Sequence, residues 1–282
     1  MFAHALRILT FMFCFVALLP PTRLRAEPSF VYANGFEMGT LEKWNIAGTS
    51  PTVQSRITRA GNYAAMHLLN RDSSEVAYRS EVNPSRDPDP QPQKDYWYGW
   101  SIFLPEGFTA DATNWEILTQ FHMRPDKGDT TKHPPLAFSV SPAGWKLTNR
   151  WEPNRVSKAE RVGSQEFNLG SLRTGVWTDW VVHVRWSYSS GGLLEVWKDG
   201  KLVAERSGPN CYNDALMPYF KMGIYNGWKT GFIVNPKVTQ RLIYTDEYRM
   251  AGPGGSYEDV APGGGGRGEA VLPVAPTLLE VD

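Results

Sequence analysis

Cysteine is nearly absent from this 282-residue chain: there are two. Cys14 lies in an N-terminal segment that reads as an export leader, so the mature chain keeps only Cys211. One cysteine excludes an internal disulfide and a thiolate zinc site. Its surroundings, "GPNCYND", offer no base to activate a nucleophile, so a small buried residue is expected. Net charge is also lacking, with 29 basic and 29 acidic residues. Between residues 27 and 251 the balance is 25 to 24, which argues against a general nucleic-acid binder. Helical periodicity is scarce. Beyond the leader, no apolar run is long enough to cross a bilayer.

The leader reads MFAHALRILTFMFCFVALLPPTRLRA. Arg7 gives a positive start, Ile8 to Leu19 is apolar, and Ala26 suits a cleavage site, so residues 1–26 are expected to be a signal peptide. The mature protein is then expected outside the cytoplasm, secreted or periplasmic, with no membrane anchor. Residues 252–282 are rich in Gly and Pro and read as a disordered tail. The intervening 27–251 is expected to be one domain acting as a monomer.

That domain is dense in aromatic residues, with 11 Trp, 12 Tyr and 13 Phe in the chain. Short alternating runs recur between turn residues: "AYRSEV", "YWYGWSIFL", "WEILTQFHM", "LAFSVS", "WTDWVVHVRWS", "YFKMGIYN" and "QRLIYTDEYRMA". "VWKDGKLV" is a hairpin turning at Asp199-Gly200. This pattern predicts an all-β, two-sheet sandwich of the jelly-roll kind. The opening "GFEMGTLEKW" and closing "IYTDEYRMA" are expected to be neighbouring strands.

Three runs carry polar residues on one face. Alternation puts Tyr219, Lys221, Gly223 and Tyr225 opposite Phe220, Met222 and Ile224. Gly223 leaves room for close approach to the backbone. Arg79 and Glu81 share a face of "AYRSEV". Leu118, Gln120 and His122 share a face of "EILTQFHM". Taken singly, each has an ordinary structural explanation: a surface ion pair for Arg79–Glu81, a satisfied histidine for His122. Together they propose one concave polar groove.

In order and spacing, Arg79-Ser80-Glu81, Gln120-Phe121-His122 and Tyr219 to Asn226 resemble the motifs of jelly-roll polysaccharide lyases. Alginate lyases of that fold carry the same three motifs. "YWYGWSIFLPEGF", "ILTQFH" and "PPLAFSV" look more like the heparin lyase I and glucuronan lyase branch. The chain departs from the alginate pattern at Gly227-Trp228-Lys229 and at Val82-Asn83. The resemblance implies a catalytic set of Tyr225, His122, Gln120 and Arg79. It also implies substrate contacts from Lys221, Tyr219, Glu81 and Asn226, with Lys229, Arg150 and Lys146 as further anionic subsites. The partner is then an anionic polysaccharide, with a glucuronate polymer as first expectation.

Such an enzyme removes the C5 proton of a uronate and expels O4. Donors that neutralise the carboxylate and hold the developing enolate lower the barrier, and Arg79, Gln120 and His122 suit that work. Where H5 and O4 lie on one side of the ring, as in glucuronate and mannuronate, Tyr225 serves as base and then acid. Where they lie on opposite sides, His122 is the base and Tyr225 the acid. An ordinary tyrosine titrates near 10, and Lys221 on the same face is the expected help. Alternatively, Lys221 binds a substrate carboxylate. Lys132 and His133 belong to a loop expected to cover the groove.

No cofactor is needed for this chemistry. A structural calcium is expected where the first and last strands meet, with Glu37 and Asp246 as oxygen ligands. Two rival readings make different demands. A retaining glycosidase needs two carboxylates about 5–5.5 Å apart, and no strand carries the alternating acids to supply them. A carbohydrate-binding module would use the abundant Trp but has no need of converging Gln, His and Tyr.

Overall fold

The computed structural model describes residues 30–71, 78–85, 89–130, 133–230 and 238–263. The expected leader, Lys132 and the end of the tail lie outside these residues.

Among the described residues, period-2 alternation and turn residues produce fifteen strands in two antiparallel sheets. They are β1 (Phe30–Asn34), β2 (Trp44–Gly48), β3 (Thr52–Gln54), β4 (Ala64–Asn70), β5 (Arg79–Pro84), β6 (Asp95–Phe103), β7 (Glu116–His122) and β8 (Leu136–Ser141). There follow β9 (Gly144–Trp151), β10 (Gly163–Asn168), β11 (Trp177–Arg185), β12 (Leu193–Lys198), β13 (Lys201–Ser207), β14 (Tyr219–Asn226) and β15 (Gln240–Ala251). One sheet runs β13-β12-β11-β6-β15-β4-β3, with β1 also on β15. The other runs β10-β9-β8-β7-β14-β5-β2. This is the expected jelly-roll sandwich. The β12–β13 hairpin turns at Asp199 and Gly200, both at positive φ (50° and 78°), as a two-residue primed turn requires. The opening strand does meet the closing one, but through β1, just before the expected stretch: Asn34 pairs with Tyr248.

The inward faces meet in an aromatic layer. Trp100 of β6 stands edge-on to Phe138 and Phe220 of the opposite sheet, each at 5.2 Å. Tyr98 meets Phe121 at 4.9 Å, and Phe220 stacks on Tyr248 at 4.4 Å. Burying each such ring contributes roughly 1.5–3 kcal/mol. Cys211 is buried beside this layer, and burial pushes its thiol pKa upward, which suits a packing role.

Two features depart from simple alternation. In β7, Ile117 pairs with Ser139 and Thr119 with the adjacent Phe138, which leaves one extra residue in β7. That bulge turns Leu118 into the core alongside Phe121, away from the face it was expected to share with Gln120 and His122. In β14, the register with β7 also slips between Met222 and Tyr225, with Gly223 at φ 132°. A Cβ at Gly223 would collide with the Ser80 carbonyl oxygen and fall 2.9 Å from the His67 ring. The opening expected there is filled by the protein itself.

The domain also runs past residue 251. Residues 252–263 are ordered and carry a short helix, α1 (Tyr257–Val260). Its Val260 is buried against Val181 and Ala251, and the Ala261 carbonyl accepts a bond from Arg249 at 2.7 Å. A Cβ at Gly99 would collide with the Val260 carbonyl. Sequence composition suggested a linker here because Gly and Pro dominate it; one buried valine is enough to dock it.

Candidate active site

The outward face of the second sheet gathers the three motifs on adjacent strands: β5, β14 and β7. β14 lies between the others. Tyr225 pairs with Arg79 and Gly223 with Glu81 on one side. Tyr219 pairs with His122 and Lys221 with Gln120 on the other. Arg79, Glu81, Gln120, His122, Tyr219, Lys221 and Tyr225 thus share one surface, without Leu118.

Glu81 organises its centre. It is 2% exposed and receives Gln120 Nε2 at 2.5 Å, Lys221 Nζ at 2.7 Å and the Arg79 Nε ion pair at 3.0 Å. Lys221 is itself buried, and that burial lowers its pKa against the pull of Glu81. Its ammonium therefore serves Glu81 and not Tyr225. The cation on Tyr225 is Arg79, with its guanidinium carbon 4.0 Å from the ring centroid. Two cations against one carboxylate leave the cluster net positive, suited to an incoming anionic group. Gln120 Oε1 is buried with no hydrogen-bond partner among the described residues.

His122 bonds the Met123 carbonyl through Nδ1 at 2.8 Å. Nδ1 is the donor there, so Nε2 carries the lone pair in the neutral ring. Burial lowers the His122 pKa, and Lys221 lowers it further. Burial raises that of Tyr219, with Glu81 adding to the rise. His122 stands opposite Tyr219, six residues from Tyr225. The partners change along β14: Arg79 pairs with Tyr225 on one side, and His122 with Tyr219 on the other.

The remaining expected contacts divide. Asn226 is buried, and its Oδ1 accepts the Trp228 backbone N–H at 3.0 Å; it shapes the turn after β14. Arg150 on β9 bonds the Pro134 carbonyl at 3.2 Å. Burial lowers its pKa, and its charge adds to burial in lowering that of His133. Because Arg150 N–H bonds Pro135 O, it sits near the His122 end of the face. Lys146 pairs with Glu166 at 2.8 Å on the surface. Lys229 lies in a single turn, Gly227–Thr230; its side chain is outside the described residues.

Glu37 and Asp246 converge on one loop. Glu37 accepts the N–H groups of Asn62 and Tyr63, and Asp246 those of Arg59, Ala60 and Glu247. Asp246 is fully buried, and burial raises its pKa well above the usual carboxylate range. A cation would relieve that burial. Among the described residues no group of three or more acids, histidines or cysteines is placed to hold a metal, so calcium would need backbone oxygens to complete its shell.

Sequence reasoning missed Trp115. Its ring meets Tyr225 edge-on at 4.8 Å, and it precedes β7, outside the alternating motif that drew attention. Tyr78, 6.3 Å from Tyr225, was set on the opposite face by alternation, yet at the strand end it lies beside the same ring.

These elements, a positive, Glu81-centred cluster with a cation-capped tyrosine on a jelly-roll sheet, define a carbohydrate-active β-sandwich. A family model described as polysaccharide lyase matches residues 36–249, and the chain belongs to that family. It is a polysaccharide lyase. No curated protein matches it. Among solved structures it is similar to the endo-β-1,4-glucuronan lyase of the fungus Trichoderma reesei, with 19% identity over 83% of this chain and 99% of that one, TM-score 0.69. It also resembles the cellulose-induced protein Cip1 (14%, 78% and 96%, TM-score 0.52). The Chlorella virus alginate lyase vAL-1 shares the fold (13%, 79% and 99%, TM-score 0.50). Among the described residues, no helix is long and apolar enough to cross a membrane.

Proposed function

We propose that this lyase cleaves a glucuronate polymer, glucuronan first, by β-elimination with Tyr225 carrying both proton transfers. The observation that supports this most is the Arg79 guanidinium 4.0 Å from the Tyr225 ring. It sets a positive charge over the Tyr225 ring and stands ready for the substrate carboxylate. The Tyr225 phenolate takes the C5 proton; the C5–H electrons form the C4=C5 double bond; the C4–O4 bond breaks. Tyr225 then returns the proton to O4, and no water is consumed. Arg79, with Gln120 and His122, holds the carboxylate as charge moves onto it. Glu81 holds Arg79, Lys221 and Gln120 in place, and Arg150 takes a carboxylate further along the chain. One residue acting twice requires H5 and O4 on the same side of the ring, as in glucuronate. The fungal structure of the same fold is described as a glucuronan lyase, in line with this choice.

Incubation with glucuronan, alginate, heparin, heparan sulfate and hyaluronan tests the reading. We expect unsaturated ends, one water lighter than hydrolysis products, from glucuronan. Release from heparin or guluronate-rich alginate alone would overturn the substrate. Binding without any release would instead favour a non-catalytic carbohydrate-binding protein. The same proposal includes a structural calcium at Glu37 and Asp246: calcium should raise the melting temperature of wild type but not of Asp246→Asn. It also includes export as a monomer, tested by cell fractionation and by size-exclusion chromatography with light scattering.

A further inference from the structure

Of the 11 tryptophans, Trp115 alone falls among the exposed large apolar side chains, at 39%. An indole left in water is ordinarily unremarkable, but this one has a fixed place. Its carbonyl accepts the Gly227 N–H at 3.2 Å, and the neighbouring Asn114 Oδ1 accepts the same N–H at 3.1 Å. A Cβ at Gly227 would fall 2.9 Å from the indole nitrogen, so the ring lies close against the turn that ends β14. Its edge-to-face contact with Tyr225 at 4.8 Å adds a second fixed neighbour. A rigid, half-wet aromatic surface therefore borders the tyrosine that we assign to proton transfer. Arg79, Gln120 and His122 supply charge and hydrogen bonds to a uronate; none of them supplies an apolar surface for a sugar's C–H groups.

We propose that Trp115 is the stacking platform for a sugar ring adjoining the reacting one, and that it selects polymers linked through equatorial bonds. The inference rests on the assignment of the reaction to Tyr225. A β-1,4-linked glucuronate or mannuronate chain is a ribbon whose rings present flat faces of axial C–H groups. Such a face lies on an indole and buries apolar area from both partners. An α-1,4-linked guluronate chain is buckled by axial linkages and presents no comparable face. The platform thus discriminates by chain shape, whereas the Glu81-centred cluster recognises the carboxylate that both classes carry.

Binding is read by tryptophan fluorescence in the Tyr225→Phe background, with saturated oligomers of glucuronate, mannuronate and guluronate. We expect an emission change with the first two, none with the third, and none in the Tyr225→Phe/Trp115→Phe double variant. In the active enzyme, Trp115→Ala should raise KM for glucuronan about tenfold, the effect of roughly 1.4 kcal/mol, with a smaller change in kcat and the same pH profile. Trp115→Phe should recover part of the loss. Circular dichroism confirms that each variant folds. An unchanged KM in Trp115→Ala, or an emission change that survives in the double variant, overturns the platform. Equal binding of guluronate oligomers overturns the shape selection. A Trp115-dependent emission change in a protein whose wild type cleaves no polymer would instead sink the lyase assignment and leave the platform standing.

Discussion

Glu81 carries more of the site than its position in a short strand suggests. It is a buried carboxylate shared by an arginine, a lysine and an amide. Replacing it by Ala leaves the Lys221 ammonium buried and unpaired, which typically costs about 3–5 kcal/mol. We expect Glu81→Ala to unfold at markedly lower urea, and the milder Glu81→Gln to stay folded while losing at least about a hundredfold in kcat as Arg79 loses its anchor. Steady-state kinetics beside urea titration separates the two effects. His67 offers a second prediction at this scale. It is fully buried between the sheets, with Nδ1 at 2.9 Å from the Ser80 carbonyl and Nε2 at 3.0 Å from Thr245 Oγ1. Burial pushes its pKa down from 6.5 to about 4. The unfolded chain therefore binds more protons across that window, and stability falls as pH drops from 6.5 to 4, by up to roughly 3 kcal/mol. His67→Gln should flatten this part of the pH–stability curve, read from urea midpoints.

At the scale of elements, two bulges decide which side chains meet. The β14 bulge requires Gly223 at φ 132°, with Ser80 and His67 packed where a side chain would be. Gly223→Ala should cost at least roughly 2 kcal/mol in urea denaturation and should lower kcat through displacement of Tyr225. Alternation alone put Arg79, Glu81, Tyr219, Lys221 and Tyr225 on one face, because β14 slips only against β7 and keeps a continuous register with β5. It misplaced Leu118, because a bulge inserts a residue without leaving a composition signal. It gave Lys221 to Tyr225, because spacing along one strand is visible in a sequence while Glu81 on the neighbouring strand is not. Trp115 escaped notice for a related reason: it lies just before β7, where periodicity no longer speaks.

The whole molecule is a two-sheet sandwich, legible from aromatic alternation and turn residues, and the order of its three motifs pointed to the right family. Its boundary was not legible. The segment after Ala251 has the composition of a linker, yet Val260 docks on the outer face of the first sheet. A chain ending at residue 251 should be less stable than one ending at 263 by roughly 2–3 kcal/mol, the value of burying one aliphatic side chain. Thermal melting of the two compares them directly. We propose Tyr225 as the residue that moves the proton on this scaffold, and ultraviolet absorbance of the C4=C5 double bond conjugated to the carboxylate reads that transfer. Wild type on glucuronan should show a steady rise; Tyr225→Phe should show none while still binding the polymer. A Tyr225→Phe protein that cleaves at a rate near that of wild type would remove Tyr225 from the proton transfer.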